Sequence, residues 1–83
     1  MTQSINVSVE NDNARNIAML VQIASQYKSK ISISQDDKTV NAKSIMGMMT
    51  LGLVPGQTLG VSIEGEDEAD AMESIRAYLQ NSK

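Results

Sequence analysis

The chain contains no cysteine and no histidine. Without cysteine there is no disulfide framework and no thiolate metal site. Without histidine the usual general base near neutral pH and the commonest metal ligand are both missing. Aromatic residues are reduced to Tyr27 and Tyr78, which leaves no platform for stacking nucleic-acid bases. Bases are outnumbered, 7 Lys and Arg against 10 Asp and Glu, so no basic face is available to a phosphate backbone. No apolar run approaches the ~20 residues that span a bilayer. The opening M-T-Q-S-I-N-V lacks both the basic start and the long apolar stretch of a secretory leader. These absences lead us to expect a cytoplasmic protein with no membrane partner, no direct nucleic-acid partner, no metal and no cofactor. Eighty-three residues suit one small domain spanning 1–83, with a core two layers thick at most.

What is present is patterned. Ile5, Val7 and Val9 alternate with Asn6, Ser8 and Glu10, the period of a strand with one wet face. The polar run Asn11 to Asn16 breaks that period. Ile17, Leu20, Val21 and Ala24 then recur at helical spacing through Tyr27. Asn13 or Asn16 could cap this helix, each having a side-chain oxygen to offer free backbone N–H groups. Ile31 and Ile33 alternate within Lys30 to Gln35. Asp36 to Lys38 is turn chemistry, and Thr39 to Asn41 returns as a short strand, which makes a hairpin.

Ser44 before I-M-G-M-M-T-L and Gly52 after it mark the start and stop of a short helix. Leu53 to Gly56 reads as a turn. Leu59, Val61 and Ile63 predict a fourth strand. E-G-E-D-E, Glu64 to Glu68, opens a last helix, where acids meet the positive dipole end. Ala71, Met72, Ile75 and Leu79 form its inner stripe, with Tyr78 beside it. The predicted class is α+β, ordered βαββαβα, with one four-stranded antiparallel sheet and three helices on one face.

Chemistry-bearing groups are few. There is no nucleophile–base pair, no metal-ligand cluster and no glycine-rich phosphate loop, so an enzyme is not expected. The acids Glu64, Glu66, Asp67 and Glu68 read more simply as a solvated helix start than as an acid/base dyad. Ser44 is an N-cap or a phosphorylation site. A phosphate at a helix start meets free N–H groups, so the helix need not unfold to accept it. Met46, Met48 and Met49 cannot share one helical stripe. Met48 and Leu51 are expected to face the core. Ile45, Met46 and Met49 would then form an outward patch, either loose packing or a soft contact surface. Arg15 is either a solvated charge or a group that helps hold an anion.

Together these residues resemble the HPr family of small phosphocarriers of the bacterial sugar phosphotransferase system. The similarity runs over nearly the whole chain. It is strongest in V-N-A-K-S-I-M-G-M-M-T-L-G, Val40 to Gly52, supported by L-V-Q-I-A-S-Q-Y, Leu20 to Tyr27, and by E-G-E-D-E. The resemblance implies an open-faced β-sandwich. In the family a loop like G-[I/L]-H-A-R-P-A carries the histidine that accepts and passes on a phosphoryl group. The matching stretch here is N-D-N-A-R-N-I, Asn11 to Ile17. Arg15 matches the arginine, Asn13 stands in place of the histidine and Asn16 in place of the proline. A carboxamide nitrogen has its lone pair drawn into the carbonyl and should not carry a transferable phosphate. Asn16 should cost little, because it restores an N–H that the cap region can use.

The combination of a lost histidine and an intact serine segment resembles the HPr-like catabolite repression proteins of bacilli. That resemblance implies phosphorylation of Ser44 by an ATP-dependent HPr kinase/phosphorylase. It also implies corepression with a LacI-type regulator in carbon catabolite repression. Arg15, Ile45, Met46 and Met49 would form the partner surface, with Lys43 adding charge beside the site. Phosphotransferase enzymes are further implied partners. The alternative expectation is a true phosphocarrier, and a third is a docking decoy that is never phosphorylated.

Overall fold

The computed structural model describes residues 1–9 and 12–80. Its elements run β1 (Thr2–Asn6), α1 (Asn13–Ser25), β2 (Lys30–Gln35), β3 (Lys38–Asn41), α2 (Ile45–Leu51), β4 (Thr58–Glu64) and α3 (Glu68–Leu79). The four strands form one antiparallel sheet in the order β1-β4-β2-β3. Placing β4 between β1 and β2 keeps those two strands apart, so the connection through α1 crosses the sheet, while β2 and β3 pair directly as a hairpin.

Alternation along the strands decides which face the helices cover. Ile5, Leu59, Val61, Ile31, Ile33 and Ile63 all point inward and are buried. The opposite face carries cross-strand rows of small polar residues, Thr2–Ser62–Ser32–Asn41 and Ser4–Gly60–Ser34–Thr39. Helix α1 contributes Ile17, Leu20, Val21 and Ala24 to the core, α2 contributes Met48 and Leu51, and α3 contributes Ala71, Met72, Ile75 and Leu79. Each fully buried Leu or Ile stabilises by roughly 1.5–3 kcal/mol, so the inward stripe of α1 is the main reason that helix holds its place.

Two sequence expectations shift. The alternation of Ile5, Val7 and Val9 continues inward, and all three are buried, yet β1 ends at Asn6 because β4 begins opposite it at Thr58. Beyond that point Val7 bonds the approach to β4 instead, donating to the Gln57 carbonyl at 2.8 Å and accepting from Gly56 N–H at 2.8 Å. Glu10 and Asn11, included in the sequence patterns, lie outside the described residues.

The E-G-E-D-E run also divides. Glu64 closes β4, and only Glu68 and Asp70 occupy the first turn of α3. Asp67 precedes that helix but turns its carboxylate away from it. It accepts from the backbone N–H groups of Lys28 and Ser29 at 2.9 and 3.0 Å, and from the Ser29 hydroxyl. A carboxylate clamp thus ties the α1–β2 loop to the head of α3. Those donors, the Ser29 hydroxyl first, hold the Asp67 carboxyl below its ordinary pKa. Gly65 permits the close approach, since a side chain there would collide with Ser29.

The hairpin turns on Asp36, whose φ of 56° is the left-handed conformation that a two-residue loop needs and that Asp tolerates.

Candidate functional site

Helices α1 and α2 pack against each other head to tail: the first residue of α1 meets the chain just past α2, and the residue before the cap of α2 meets the chain just past α1. Ser44 sits at the head of α2 in extended conformation, and its Oγ accepts from Gly47 N–H at 3.1 Å. Its carbonyl accepts the first helical bond from Met48 N–H at 2.9 Å. At the other end Gly52, at φ 78°, donates to the Met48 carbonyl at 2.9 Å and stops the helix. Ser44 is half-buried, so its hydroxyl is structurally used yet still reachable. The neighbouring Lys43 sends its ammonium to the Tyr27 carbonyl, 2.7 Å away. Its charge is therefore engaged at the C-terminal end of α1.

The periodicity of α2 divides its methionines as expected. Met48 and Leu51 are buried, while Ile45, Met46 and Met49 stand exposed on the outer side.

At the mouth of α1 the capping residue is Asp12, whose carboxylate accepts from Arg15 N–H at 3.4 Å. This corrects the expectation that Asn13 or Asn16 caps the helix. Both lie inside it, and tertiary contacts take up their side chains. Asn13 Oδ1 accepts from Leu53 N–H at 2.7 Å, tying the first residue of α1 to the chain just beyond α2. Asn16 is buried, and its Oδ1 accepts from the Tyr78 hydroxyl of α3 at 2.9 Å. Burial pushes the Tyr78 hydroxyl above its ordinary pKa. The Arg15 charge opposes that shift and Asp12 reinforces it.

The backbone N–H of Asn16 donates to the Asp12 carbonyl at 2.9 Å. The restored N–H is thus used at the cap. A proline at this position would lack that donor, and its ring would press on the carbonyl four residues back. Asn16 is therefore what permits α1 to begin at Asn13.

A shallow groove of about 160 Å³ runs between the two helices, lined by Asn13, Ala14, Ile17 and Ala18 of α1 and by Ile45 and Met49 of α2. The fold thus brings Asn13, Ile45 and Met49 to one groove. Ser44 precedes Ile45 in the chain but does not line the groove, and Met46 is exposed on the same helix. Arg15 is exposed and lines no part of the groove; its charge acts toward Tyr78. Sequence reasoning missed the roles of Asp12 and Leu53 and the α1–α3 pair Asn16–Tyr78. Of these only Asp12 had a local signature, an acid three residues before the N–H it caps.

Among the described residues no group of His, Cys, Asp or Glu could hold a metal ion. No helix of the described residues is long and apolar enough to cross a membrane.

The family model described as PTS HPr component phosphorylation site matches residues 3–81. The chain belongs to the HPr family. It is 46% identical over 67 residues to the HPr-like protein Crh of Halalkalibacterium halodurans, covering 81% of this chain and 80% of that protein. Against the HPr-like protein Crh of Bacillus subtilis it is 43% identical, covering 81% and 79%. Its fold superposes on the crystal structure of a phosphocarrier protein HPr from Bacillus anthracis with a TM-score of 0.92 at 41% identity, covering 96% of each chain. HPr-family members are phosphocarrier and regulatory proteins rather than enzymes, and this chain is not an enzyme.

Proposed function

We propose that this HPr-family protein displays a phosphoryl group on Ser44 as a regulatory signal and does not relay one through a histidine. One observation supports the reading above all. Asn13, at the family's phosphoryl-accepting position, has its carboxamide oxygen committed to Leu53 N–H, and no histidine exists anywhere in the chain to substitute. The carboxamide nitrogen has no lone pair free for phosphorus.

Ser44 has the hydroxyl that transfer needs. Its Oγ attacks the γ-phosphorus of ATP, the bond to the bridging oxygen breaks, and ADP leaves. The hydroxyl proton passes to a base of the kinase, which we take to be HPr kinase/phosphorylase. The phosphate oxygens can then accept from Gly47 N–H in place of the hydroxyl. Modification adds about −1.5 to −2 of charge beside the exposed Ile45, Met46 and Met49. The charged and apolar groups together suit docking to a LacI-type regulator as corepressor in carbon catabolite repression, with Arg15 contributing a positive charge to the partner surface.

The test is incubation with HPr kinase/phosphorylase and ATP, followed by mapping of the phosphate by mass spectrometry. We expect label on Ser44; a chain left unmodified there removes the reading. The phosphocarrier reading is favoured by similarity to proteins named phosphocarrier protein HPr. Phosphoenolpyruvate and the upstream phosphotransferase enzyme should place acid-labile phosphate on the chain if it holds, and we expect none. In a docking decoy, unmodified protein would bind partners as tightly as the Ser44-phosphorylated form.

A further inference from the structure

The six methionines of the chain occupy contrasting environments, and the contrast is sharpest within one short helix. Met48 is 0% exposed, whereas Met46 and Met49 are 80% and 64% exposed. Met46 is the most exposed large apolar side chain among the described residues. Met72 is buried, and Met1 and Met19 are exposed to a lesser degree than the outer pair of α2. Because the chain has no cysteine, thioether sulfur is the only sulfur a peroxide can oxidise.

We propose that Met46 and Met49 form a peroxide-sensitive modification site, at which reversible S-oxidation converts the apolar outer side of α2 into a polar one. A thioether lone pair attacks one oxygen of hydrogen peroxide and the S–O bond forms as the O–O bond breaks. The departing hydroxide, with the proton released from the transferred oxygen, leaves as water. Sulfur is oxidised by two electrons and peroxide is reduced by two. Reduction by a thiol-dependent methionine sulfoxide reductase returns the thioether.

The position gives the reaction its consequence. Met49 lines the groove with Ile45, Ala14, Ile17 and Ala18 and with Asn13, whose carboxamide is the one polar side-chain group in that lining. A strong acceptor buried there by an apolar partner would lose its water with few donors to replace it, which opposes docking. Solvent reaches the two side chains without unfolding, while Met48 on the same helix is shielded by the core. The effect on docking rests on the Ser44 reading above; the oxidation and the change of surface do not.

The experiment exposes the full chain to hydrogen peroxide and follows each methionine by peptide mass spectrometry, with retention on a hydrophobic-interaction column measured in parallel. Sulfoxide should appear at Met46 and Met49 at least about tenfold faster than at Met48 and Met72, and faster than at Met19. Oxidised protein should elute earlier, and methionine sulfoxide reductases A and B should restore both mass and retention. A chain carrying Met46→Leu and Met49→Leu, in which Met1 and Met19 are the only exposed methionines left, should shift its retention far less through the same treatment. Oxidation of Met48 or Met72 as fast as Met46, or unchanged retention once Met46 and Met49 are oxidised, would overturn the proposal.

Labelling of Ser44 by HPr kinase/phosphorylase and ATP then reads the consequence. Peroxide should slow it several-fold in the wild-type chain, and should not slow the double leucine chain relative to its own untreated rate. Wild-type protein that takes no label before treatment overturns the Ser44 reading alone, while the mapping and retention still decide this one.

Discussion

The mouths of α1 and α2 are built from the same materials and end in opposite conditions. Each begins with a short polar side chain accepting a backbone N–H three residues on, Asp12 from Arg15 and Ser44 from Gly47. At α1 two neighbouring carboxamide oxygens are also taken up, that of Asn13 by Leu53 N–H and that of Asn16 by the Tyr78 hydroxyl. At α2 the hydroxyl remains half open, and beside it the apolar side chains of Ile45, Met46 and Met49 stand uncovered. The lesson is that capping chemistry does not by itself mark a functional site. What distinguishes the second mouth is that its capping group is a nucleophile and that the apolar side chains of Ile45, Met46 and Met49 near it stay exposed.

That contrast can be broken from either side. The largest effect should come from Ser44→Ala. We expect complete loss of ATP-dependent labelling by HPr kinase/phosphorylase, at a cost of about 1 kcal/mol in denaturant-measured stability from the lost cap. Labelling that persists at another residue would move the signal away from α2.

Asn16→Pro attacks the first mouth. It removes the N–H that bonds Asp12 and the acceptor that Tyr78 uses, so stability should fall by about 1–3 kcal/mol, and NMR should find Asn13 outside the helix. A fully stable variant that retains α1 from Asn13 would show that these contacts are idle.

Asn13→Ala is milder. It leaves the partly buried Leu53 N–H without its acceptor, and we expect about 1 kcal/mol of destabilisation with faster amide exchange at Leu53. Asn13→His at the same position supplies an imidazole lone pair. Acid-labile label from phosphoenolpyruvate gained by this variant, and absent from the parent, would show that one side chain separates relay from display.

The smallest effect concerns acid. The Asp67 carboxylate is held below its ordinary pKa by the Ser29 hydroxyl and by backbone N–H groups. A group whose folded pKa is depressed stabilises above its unfolded value, and loses that contribution as pH falls through the folded value. Stability should therefore decline as pH drops below about 4, and Asp67→Asn should flatten that part of the profile. Equal acid slopes in the two proteins would assign the decline to other carboxylates.

Much of the architecture was legible because burial leaves a local period. Ile31 and Ile33 in β2, Leu59, Val61 and Ile63 in β4, and the stripe Ala71, Met72, Ile75 and Leu79 in α3 each repeat at the spacing of their element. The bounds of β2 and the start of α2 at Ser44 coincide with the structure. The division of the α2 methionines followed from helical geometry alone. The capping of α1 was misread because Asn, Asp and Asn are all competent caps, and local propensity cannot rank them when two have distant claims on their side chains.

By itself, then, the sequence determined the order of elements, the covered face of the sheet, and the absence of any histidine or cysteine chemistry, since these depend on composition and short-range periodicity. Only the tertiary structure decided that Asn13 belongs to Leu53, Asn16 to Tyr78 and Asp67 to Ser29. Those hydrogen bonds join residues far apart in the chain, and their partners are defined only once the helices and loops have packed.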